Sequence, residues 1–418
     1  LLAAATSVPT TNAQGTWSNV PSPVSDTLYS VYMTSADSGW AVGTPSQGML
    51  HYAGGSWSTV TNPTTDTLLS VYMTSADEGW AVGSSGIILR YSHGSWSLYT
   101  AAGMSTLSSV FMVNAGEGWA VGQAGTIVHY SGGPWSPVTS PTTNGLTSVF
   151  MVSASEGWAV GQAGTILHYY GGTWNWYPLH PTTNDLYSVF MVSGGLAGWA
   201  VGSSGTILHY AGGEWTTVTS SAPEDLHSVF MVSADDGWAV SNNGRILHYA
   251  GGSWSLVTSP TTNILSSVFM VNAGEGWAVG DHGTILHYLG PAAPWVGTGA
   301  ATGVTATSAV LHGTVSSEGL ATTWDFMDAS RTVVYCPSPP GTVPTDTFAH
   351  GVSCMVTGLS PSTHYEFIIH ASNSAGDSFG APAPFDTLAA PSGGAAPTVV
   401  TGAATGVTAT SAMLHGNV

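Results

Sequence analysis

The chain has 418 residues, enough for two or three domains, and sets 22 carboxylates against three arginines and no lysine, for a formal net charge of −19. Phosphate neutralisation needs clustered Lys and Arg, so nucleic-acid binding is excluded and binding to anionic membrane surfaces is disfavoured. Hydrophobic residues make up 43% of the chain and charged residues only 6%, which indicates a large buried core and not a disordered chain.

Residues 1–15, LLAAATSVPTTNAQG, are mostly small, apolar or hydroxyl-bearing. They fit two interpretations, the end of a signal peptide followed by a mature terminus, or an N-terminal arm of small residues. No run of 18 apolar residues occurs, so the sequence predicts no membrane-spanning helix.

Cys336 and Cys354 are the only cysteines. In a secreted chain they predict one disulfide, and two buried thiols are the alternative.

One sequence unit is repeated seven times between residues 16 and 290, at spacings of 39 to 41 residues. A clear copy begins at Leu146 and reads LTSVFMVSASEGWAVGQAGTILHYYGGTW. It contains four short β-type runs separated by Gly-containing turns, and it lacks helical periodicity. A repeat of about 40 residues with four strands is typical of a β-propeller blade. The seven repeats therefore predict that residues 16–290 form an all-β, seven-bladed propeller. The GW tryptophans are Trp40, Trp80, Trp119, Trp158, Trp199, Trp238 and Trp277.

Eight tryptophans are candidates for the seven fourth strands, so one of them is surplus. The sequence after Trp17 resembles that after Trp57, whereas Trp295 lies in PWVGTG and has no such likeness. We therefore expect residues 17–20, from Trp17 to Val20, to complete the last blade, which contains Trp277. This pairing would close the ring and remove exposed sheet edges.

The pattern GWAVGxxGTIL followed by GGxW resembles the blades of the photosystem II stability and assembly-factor family, which is related to the Asp-box repeats of bacterial neuraminidases. The resemblance covers residues 17–290 and implies the propeller fold. It departs at the Asp-box position, five residues before the fourth-strand Trp, where this chain has tyrosine. It therefore implies little about activity. The tyrosines are Tyr52, Tyr91, Tyr130, Tyr210 and Tyr249.

The remainder divides into a linker at 291–298, a β-sandwich at 299–388, a second linker at 389–401 and a partial repeat at 402–418. The stretch from Leu359, LSPSTHYEFIIHASNSAGDS, resembles a fibronectin type III domain, which implies that Tyr365 is its corner tyrosine and Trp324 its core tryptophan. Fifteen of the last 17 residues repeat those at 299–315. Two interpretations fit this repeat. The protein continues into further copies, or residues 402–418 or the arm add strands to a neighbouring subunit.

A histidine recurs in the third strand of six repeats, and Arg90 replaces it in the remaining one. Six separate blades cannot bring these side chains within metal-bond distance, so we expect a repeated structural hydrogen bond and no metal site. The carboxylates just before the GW tryptophans predict solvated turns on one rim, with calcium binding as the alternative. The histidines are His51, His129, His168, His209, His248 and His287.

No catalytic arrangement is recognisable, so we expect no enzyme activity. A sialidase-like site needs three arginines, and the repeats contain only Arg90 and Arg245. Another glycosidase would need paired carboxylates. Its best candidates, in loops of the opposite rim, are Asp185, Glu224, Asp225 and Asp281.

The composition and tandem modules favour a non-catalytic extracellular or cell-surface structural protein, an adhesin or a fibre subunit that assembles head to tail. The expected partners are further copies of the chain, with glycans or surface proteins as alternatives, and no cofactor is predicted. A glycoside hydrolase or glycan-binding propeller and an assembly-factor-like scaffold are the other hypotheses. The candidate assembly segment is marked by Gly402, Val407, Leu414 and Val418.

Overall fold

The computed structural model describes residues 15–45, 48–100, 104–346, 348–373, 375–391 and 399–417. The predicted arm, apart from Gly15, and Val418 lie outside these residues. The chain divides into two compact units, and the first unit ends at Gly290 where the second begins at Pro291. Among the described residues, no helix is long and apolar enough to cross a membrane.

The first unit consists of short antiparallel strands joined by tight turns. After β1 (Thr16–Asn19), they form groups of four. Sheet 1 contains β2 (Leu28–Ser35), β3 (Ser38–Gly43), β4 (Met49–Ala53) and β5 (Ser56–Thr59). Sheet 2 contains β6 (Leu68–Met73), β7 (Glu78–Gly83), β8 (Ile88–Ser92) and β9 (Ser95–Thr100). Sheet 3 contains β10 (Leu107–Asn114), β11 (Glu117–Gly122), β12 (Ile127–Tyr130) and β13 (Ser136–Pro137).

Sheets 4 to 6 continue the pattern, and sheet 7 contains three further strands. Sheet 4 contains β14 (Leu146–Ser153), β15 (Glu156–Gly161), β16 (Ile166–Tyr170) and β17 (Thr173–Trp176). Sheet 5 contains β18 (Leu186–Val192), β19 (Ala197–Gly202), β20 (Ile207–Ala211) and β21 (Glu214–Val218), and sheet 6 contains β22 (Leu226–Met231), β23 (Gly237–Ser241), β24 (Ile246–Ala250) and β25 (Ser253–Val257). Sheet 7 contains β26 (Leu265–Asn272), β27 (Glu275–Gly280) and β28 (Ile285–Leu289). The described 3-10 turns span Ser84–Gly86, Gln123–Gly125, Gln162–Gly164, Ser193–Gly195, Ser203–Gly205, Asn242–Gly244 and Asp281–Gly283.

Within the described ranges, these strands form seven four-stranded antiparallel sheets, the arrangement of a β-propeller. Six sheets use four strands that are consecutive in the chain, whereas sheet 7 has the order β1-β28-β27-β26. Trp17 pairs with Tyr288 in that sheet, and the Val20 amide donates to the Ile285 carbonyl at 2.9 Å. The first described strand therefore completes the last sheet of the unit.

Hydrogen bonds between neighbouring sheets tie the innermost strands into a closed ring. The Val149 amide of sheet 4 donates to the Ser109 hydroxyl of sheet 3 at 3.2 Å, and the same Ser–Val pair recurs between each sheet and the next. Val31 of sheet 1 donates to Ser267 of sheet 7 at 3.3 Å, which closes the circle. The other donor–acceptor pairs are Val71–Ser30, Val110–Ser70, Val189–Ser148, Val229–Ser188 and Val268–Ser228.

Close packing explains the glycine that precedes each repeated tryptophan. A Cβ atom on Gly118 would lie 2.2 Å from the sulfur of Met112 on the innermost strand, and its equivalents have the same neighbour. The 3-10 turn between the second and third strands of a sheet also requires a glycine. Gly125 there has a φ of +70°, and a Cβ would lie 2.0 Å from the Thr142 carbonyl oxygen.

Residues 295–386 of the second unit form an all-β sandwich of two sheets. Its strands are β29 (Trp295–Thr298), β30 (Ser308–Ser316), β31 (Thr322–Asp328), β32 (Val334–Val343), β33 (Ala349–Thr357), β34 (His364–Asn373), β35 (Gly376–Phe379) and β36 (Ala383–Asp386). One sheet has the order β29-β30-β33, and the other has the order β32-β31-β34-β35, with β36 also paired to β34. Leu311, Phe326, Phe367 and Ile369 are fully buried between them. The Cys336–Cys354 disulfide joins β32 to β33, one strand from each sheet.

Two predicted linkers contain strand residues. The linker expected at 291–298 includes β29, because Trp295 pairs with Ser316 along the sandwich edge. The linker expected at 389–401 includes the start of β37 (Val400–Thr405), which pairs with β38 (Met413–Asn417) in a two-stranded sheet. The strand residues within the two expected linkers are 295–298 and 400–401.

Candidate functional site

A ring of aromatic side chains surrounds the axis of the first unit. Each innermost strand contributes one member, and neighbouring ring centroids lie 4.7–4.9 Å apart with planes tilted by 49–53°. The circle closes between Phe269 and Tyr32. This axial aromatic ring consists of Tyr32, Tyr72, Phe111, Phe150, Phe190, Phe230 and Phe269.

Strand alternation directs these side chains towards the axis. On β14, Val149 and Met151 are buried in the packing between sheets, so Phe150 between them projects from the opposite face of the strand. This position was not predicted from the sequence as a site, although the repeated triplets VYM and VFM contain it. An aromatic residue between two buried residues in every innermost strand was the available signal.

The axial aromatic ring lines a cavity of about 350 Å³, together with Ser188, Val189 and Val229. The cavity lining contains no carboxylate, imidazole or thiol. Tyr32 and Tyr72 are hydrogen-bonded to each other, and burial raises the pKa of both phenols, so they stay neutral near pH 7. The arrangement can therefore bind an apolar side chain and donate or accept a hydrogen bond.

The repeated GW tryptophans lie between sheets, where they pack and are not available to a ligand. All seven are buried, and each makes an edge-to-face contact with the fourth-strand tryptophan of the next sheet at centroid distances of 5.4–5.6 Å. Trp238 makes this contact with Trp17, which therefore occupies the fourth-strand position of sheet 7. These contacts favour the interpretation of the repeated aromatics as packing residues.

Each repeated histidine stacks on the GW tryptophan of its own sheet, at centroid distances of 4.0–4.3 Å. Arg90 lies over Trp80 in sheet 2 and pairs with Glu78. Three histidines also reach the carboxylate two residues before the tryptophan: the pairs are His129–Glu117 at 2.6 Å, His248–Asp236 at 2.8 Å and His287–Glu275 at 3.1 Å. Within the described parts of the chain, no three His, Cys, Asp or Glu residues are grouped as a metal site would require.

Acid is expected to destabilise the first unit through the two histidines without a carboxylate at that position. Ser38 and Ala197 occupy it beside His51 and His209, and burial lowers the pKa of both imidazoles below the ordinary 6.5. The folded state therefore binds fewer protons than the unfolded chain, so stability present above pH 6.5 is lost as the pH falls towards 5. Urea unfolding followed by tryptophan fluorescence at pH 7, 6 and 5 measures this loss.

The matched variant Ser38→Glu supplies the carboxylate that other sheets contain, and it should reduce the loss of stability at acid pH. The double variant His51→Gln, His209→Gln should reduce it further. If the free energy of unfolding depends on pH in both variants as it does in the wild type, His51 and His209 are not the cause of the acid destabilisation.

The four carboxylates considered for a glycosidase, on the opposite rim, accept hydrogen bonds from neighbouring groups or pair with an arginine. Asp185 accepts a hydrogen bond from the Ala163 amide at 2.8 Å, and Asp225 accepts one from the Ser204 amide at 2.9 Å. Asp281 accepts from the Thr27 hydroxyl at 3.1 Å. Glu224 pairs with Arg245 at 3.0 Å. Each of the four carboxylates is thus engaged in a local structural contact.

No protein-family profile matches the sequence, and no curated protein matches it. Among solved structures, "YCF48 bound to D1 peptide" has a TM-score of 0.56 and 18% identity, and the match covers 65% of this chain and 95% of that chain. YCF48 from Cyanidioschyzon merolae has a TM-score of 0.55 and 18% identity, with 65% and 98% covered. The WD40 repeats of RRP9 have a TM-score of 0.54 and 10% identity, with 66% and 97% covered. At these identities the likeness concerns the fold alone, and it confirms an all-β chain with β-propeller repeats.

Proposed function

We propose that this protein is a non-catalytic extracellular interaction scaffold, in which a seven-bladed propeller binds a segment of a protein partner. The observation that carries the proposal is the axial aromatic ring with its apolar cavity of about 350 Å³. A pocket of this size and lining suits one or two apolar side chains of a bound segment. The four rim carboxylates considered for a glycosidase are engaged in turns or with arginine, which supports a role without catalysis.

Charge narrows the class of partner. The repeats at 16–290 contain fifteen carboxylates and two arginines. A neutral or basic segment would approach such a surface favourably, whereas an acidic one would be repelled. The similar structure of YCF48 bound to D1 peptide is a precedent for peptide binding on this fold. We therefore infer a peptide segment with an apolar anchor and a neutral or basic flank.

The second unit is proposed to be a fibronectin type III-like module that spaces or presents the propeller. Its three-stranded and larger sheets bury Trp324 and Phe326 in a common core. Tyr365 lies near the start of β34, and its hydroxyl accepts a hydrogen bond from the Ser360 amide at 2.8 Å, as a corner tyrosine does. The disulfide supports an extracellular location, because disulfides persist in oxidising compartments.

Selection from a random peptide phage library on the intact protein tests the binding proposal. Selected peptides should share an apolar anchor and lack acidic residues around it. The double variant Phe190→Leu, Phe230→Leu keeps an apolar cavity but removes two aromatic faces, and it should weaken binding of a selected peptide by about tenfold or more.

The control is Leu256→Ala, at an exposed position on the outermost strand of sheet 6, which should bind as the wild type does. Thermal unfolding of each variant verifies that it is folded. Selected peptides without an apolar anchor, or equal binding by the Phe190/Phe230 variant, would contradict the proposal.

Self-assembly is a second candidate function, and the β37–β38 hairpin favours it. Thr405 pairs with Met413 as Thr302 pairs with Val310 in the first copy of the repeated segment. Leu311 in that copy is 0% exposed and lies on a strand flanked by β29 and β33. Its counterpart Leu414 is 84% exposed, and β38 pairs only with β37 among the described strands. We infer that the other edge of β38 accepts a strand from a second copy of the chain.

Sedimentation velocity over a concentration series tests this contact. The intact protein should form oligomers, and Leu414→Asp or deletion of residues 400–417 should shift it to a folded monomer. Leu196→Asp, at an exposed position outside the hairpin, is the control and should leave oligomers unchanged. A monomeric intact protein at high concentration, or oligomers that persist after the deletion, would refute assembly through this edge.

A further inference from the structure

Sheet 4 departs from the repeat on its two outer strands. Tyr170 ends β16, where other sheets have Ala, Ser or Leu, and Trp176 ends β17 at a position occupied elsewhere by Thr, Leu, Pro or Asn. The two side chains are 54% and 40% exposed. Because the repeated aromatics are buried between sheets, the exposure of this additional pair needs a separate explanation.

Tyr170 and Trp176 line one shallow cleft of about 250 Å³, together with His168, Tyr177 and Pro178. The indole Nε1 of Trp176 donates a hydrogen bond to the Pro141 carbonyl at 2.8 Å, which holds the indole plane in place. The ring of Tyr170 lies 5.0 Å from that of His168. The cleft is therefore built from aromatic planes of defined orientation.

The histidine in this cleft differs from its equivalents in its hydrogen bonding. Its ring is nearly parallel to Trp158, with a centroid distance of 4.0 Å and an interplanar angle of 9°. Its Nε2 is buried and lies 3.5 Å from Glu156, beyond the 2.6–3.1 Å of the three pairs described above. Burial lowers the pKa of His168, so near pH 7 the imidazole is neutral, with one donor and one acceptor nitrogen.

We propose that this cleft binds a neutral glycan, with a sugar ring stacked on Trp176 or Tyr170. Sugar rings have an apolar C–H face that packs on aromatic planes, and the cleft offers two exposed aromatic side chains. None of the five lining residues is a carboxylate, lysine or arginine, which favours an uncharged ligand. A volume below the 300–1,000 Å³ usual for pockets of drug-sized ligands suits one or two sugar units.

Binding of neutral oligosaccharides to the intact protein tests the proposal. Isothermal titration with cellohexaose, mannohexaose, xylohexaose and chitohexaose should detect binding of at least one probe. Trp176→Ala should weaken that binding by about tenfold or more, as truncation of a central aromatic anchor does. Tyr170→Ser, which tests the second aromatic plane, should weaken it as well.

Leu256→Ala is the matched control, because Leu256 occupies the Trp176 position in sheet 6 and is also exposed. It should leave glycan binding unchanged. The inference is wrong if no probe binds at millimolar concentration, or if folded Trp176→Ala and Tyr170→Ser both bind as the wild type does. The cleft lies on outer strands and not at the axis, so this result is independent of the peptide-binding test.

Discussion

Replacing Trp17 by alanine is expected to lower the free energy of unfolding of the first unit by about 3–5 kcal/mol, the usual cost of truncating a buried tryptophan. Trp17 is buried, and it contacts Trp238 of sheet 6 at 5.5 Å and Tyr288 of its own sheet at 5.2 Å. The substitution would leave a cavity where the chain closes its ring. Urea unfolding followed by tryptophan fluorescence measures the change.

The surplus tryptophan provides the matched control. Trp295 is 56% exposed and pairs with Ser316 in the second unit, so Trp295→Ala should change the stability of the first unit by less than about 0.5 kcal/mol. Trp57→Ala, at the equivalent buried position of sheet 1, should resemble Trp17→Ala. Equal stability of the Trp17→Ala variant and the wild type would show that β1 does not close the ring in solution.

Removing the disulfide is expected to destabilise the second unit by about 3 kcal/mol, the loop-closure value for a loop of this length. Cys336 and Cys354 are 18 residues apart and connect the two sheets of the sandwich. The double variant Cys336→Ser, Cys354→Ser should therefore unfold its sandwich at lower denaturant concentration. Near-ultraviolet circular dichroism and limited proteolysis follow this unit.

The first unit serves as the internal control for the disulfide prediction. It contains no cysteine, so its urea midpoint should be the same in the double variant and in the reduced wild-type protein. An unchanged proteolysis pattern of residues 299–388 after reduction would mean that the disulfide contributes little to the sandwich.

The candidate sites were less predictable than the fold. His129 and Glu117 were recognised separately as repeated positions, but their 2.6 Å pairing depends on the register of β11 and β12. The carboxylates suggested for a glycosidase were predicted from their rim position alone. Asp185 and Asp225 accept backbone hydrogen bonds from the preceding sheet, and a linear pattern does not record contacts between sheets.

The sequence by itself determined the class of the chain and the order of its strands. A period of 39 to 41 residues with four β-type runs specifies one local unit, because hydrophobic alternation and glycine turns act over a few residues. The same reasoning identified Trp17 as an additional fourth-strand residue. These features depend on neighbours in the chain, so they can be recognised without coordinates.

Only the tertiary structure decided which side chains meet. Phe150 contacts Phe111 and Phe190, each about 40 residues away, because successive sheets place equivalent positions around one axis. Tyr170 and Trp176 share a cleft because β16 and β17 pair in a particular register. Such contacts are set by the curvature of the ring and by side-chain packing between sheets, which a repeat pattern does not specify.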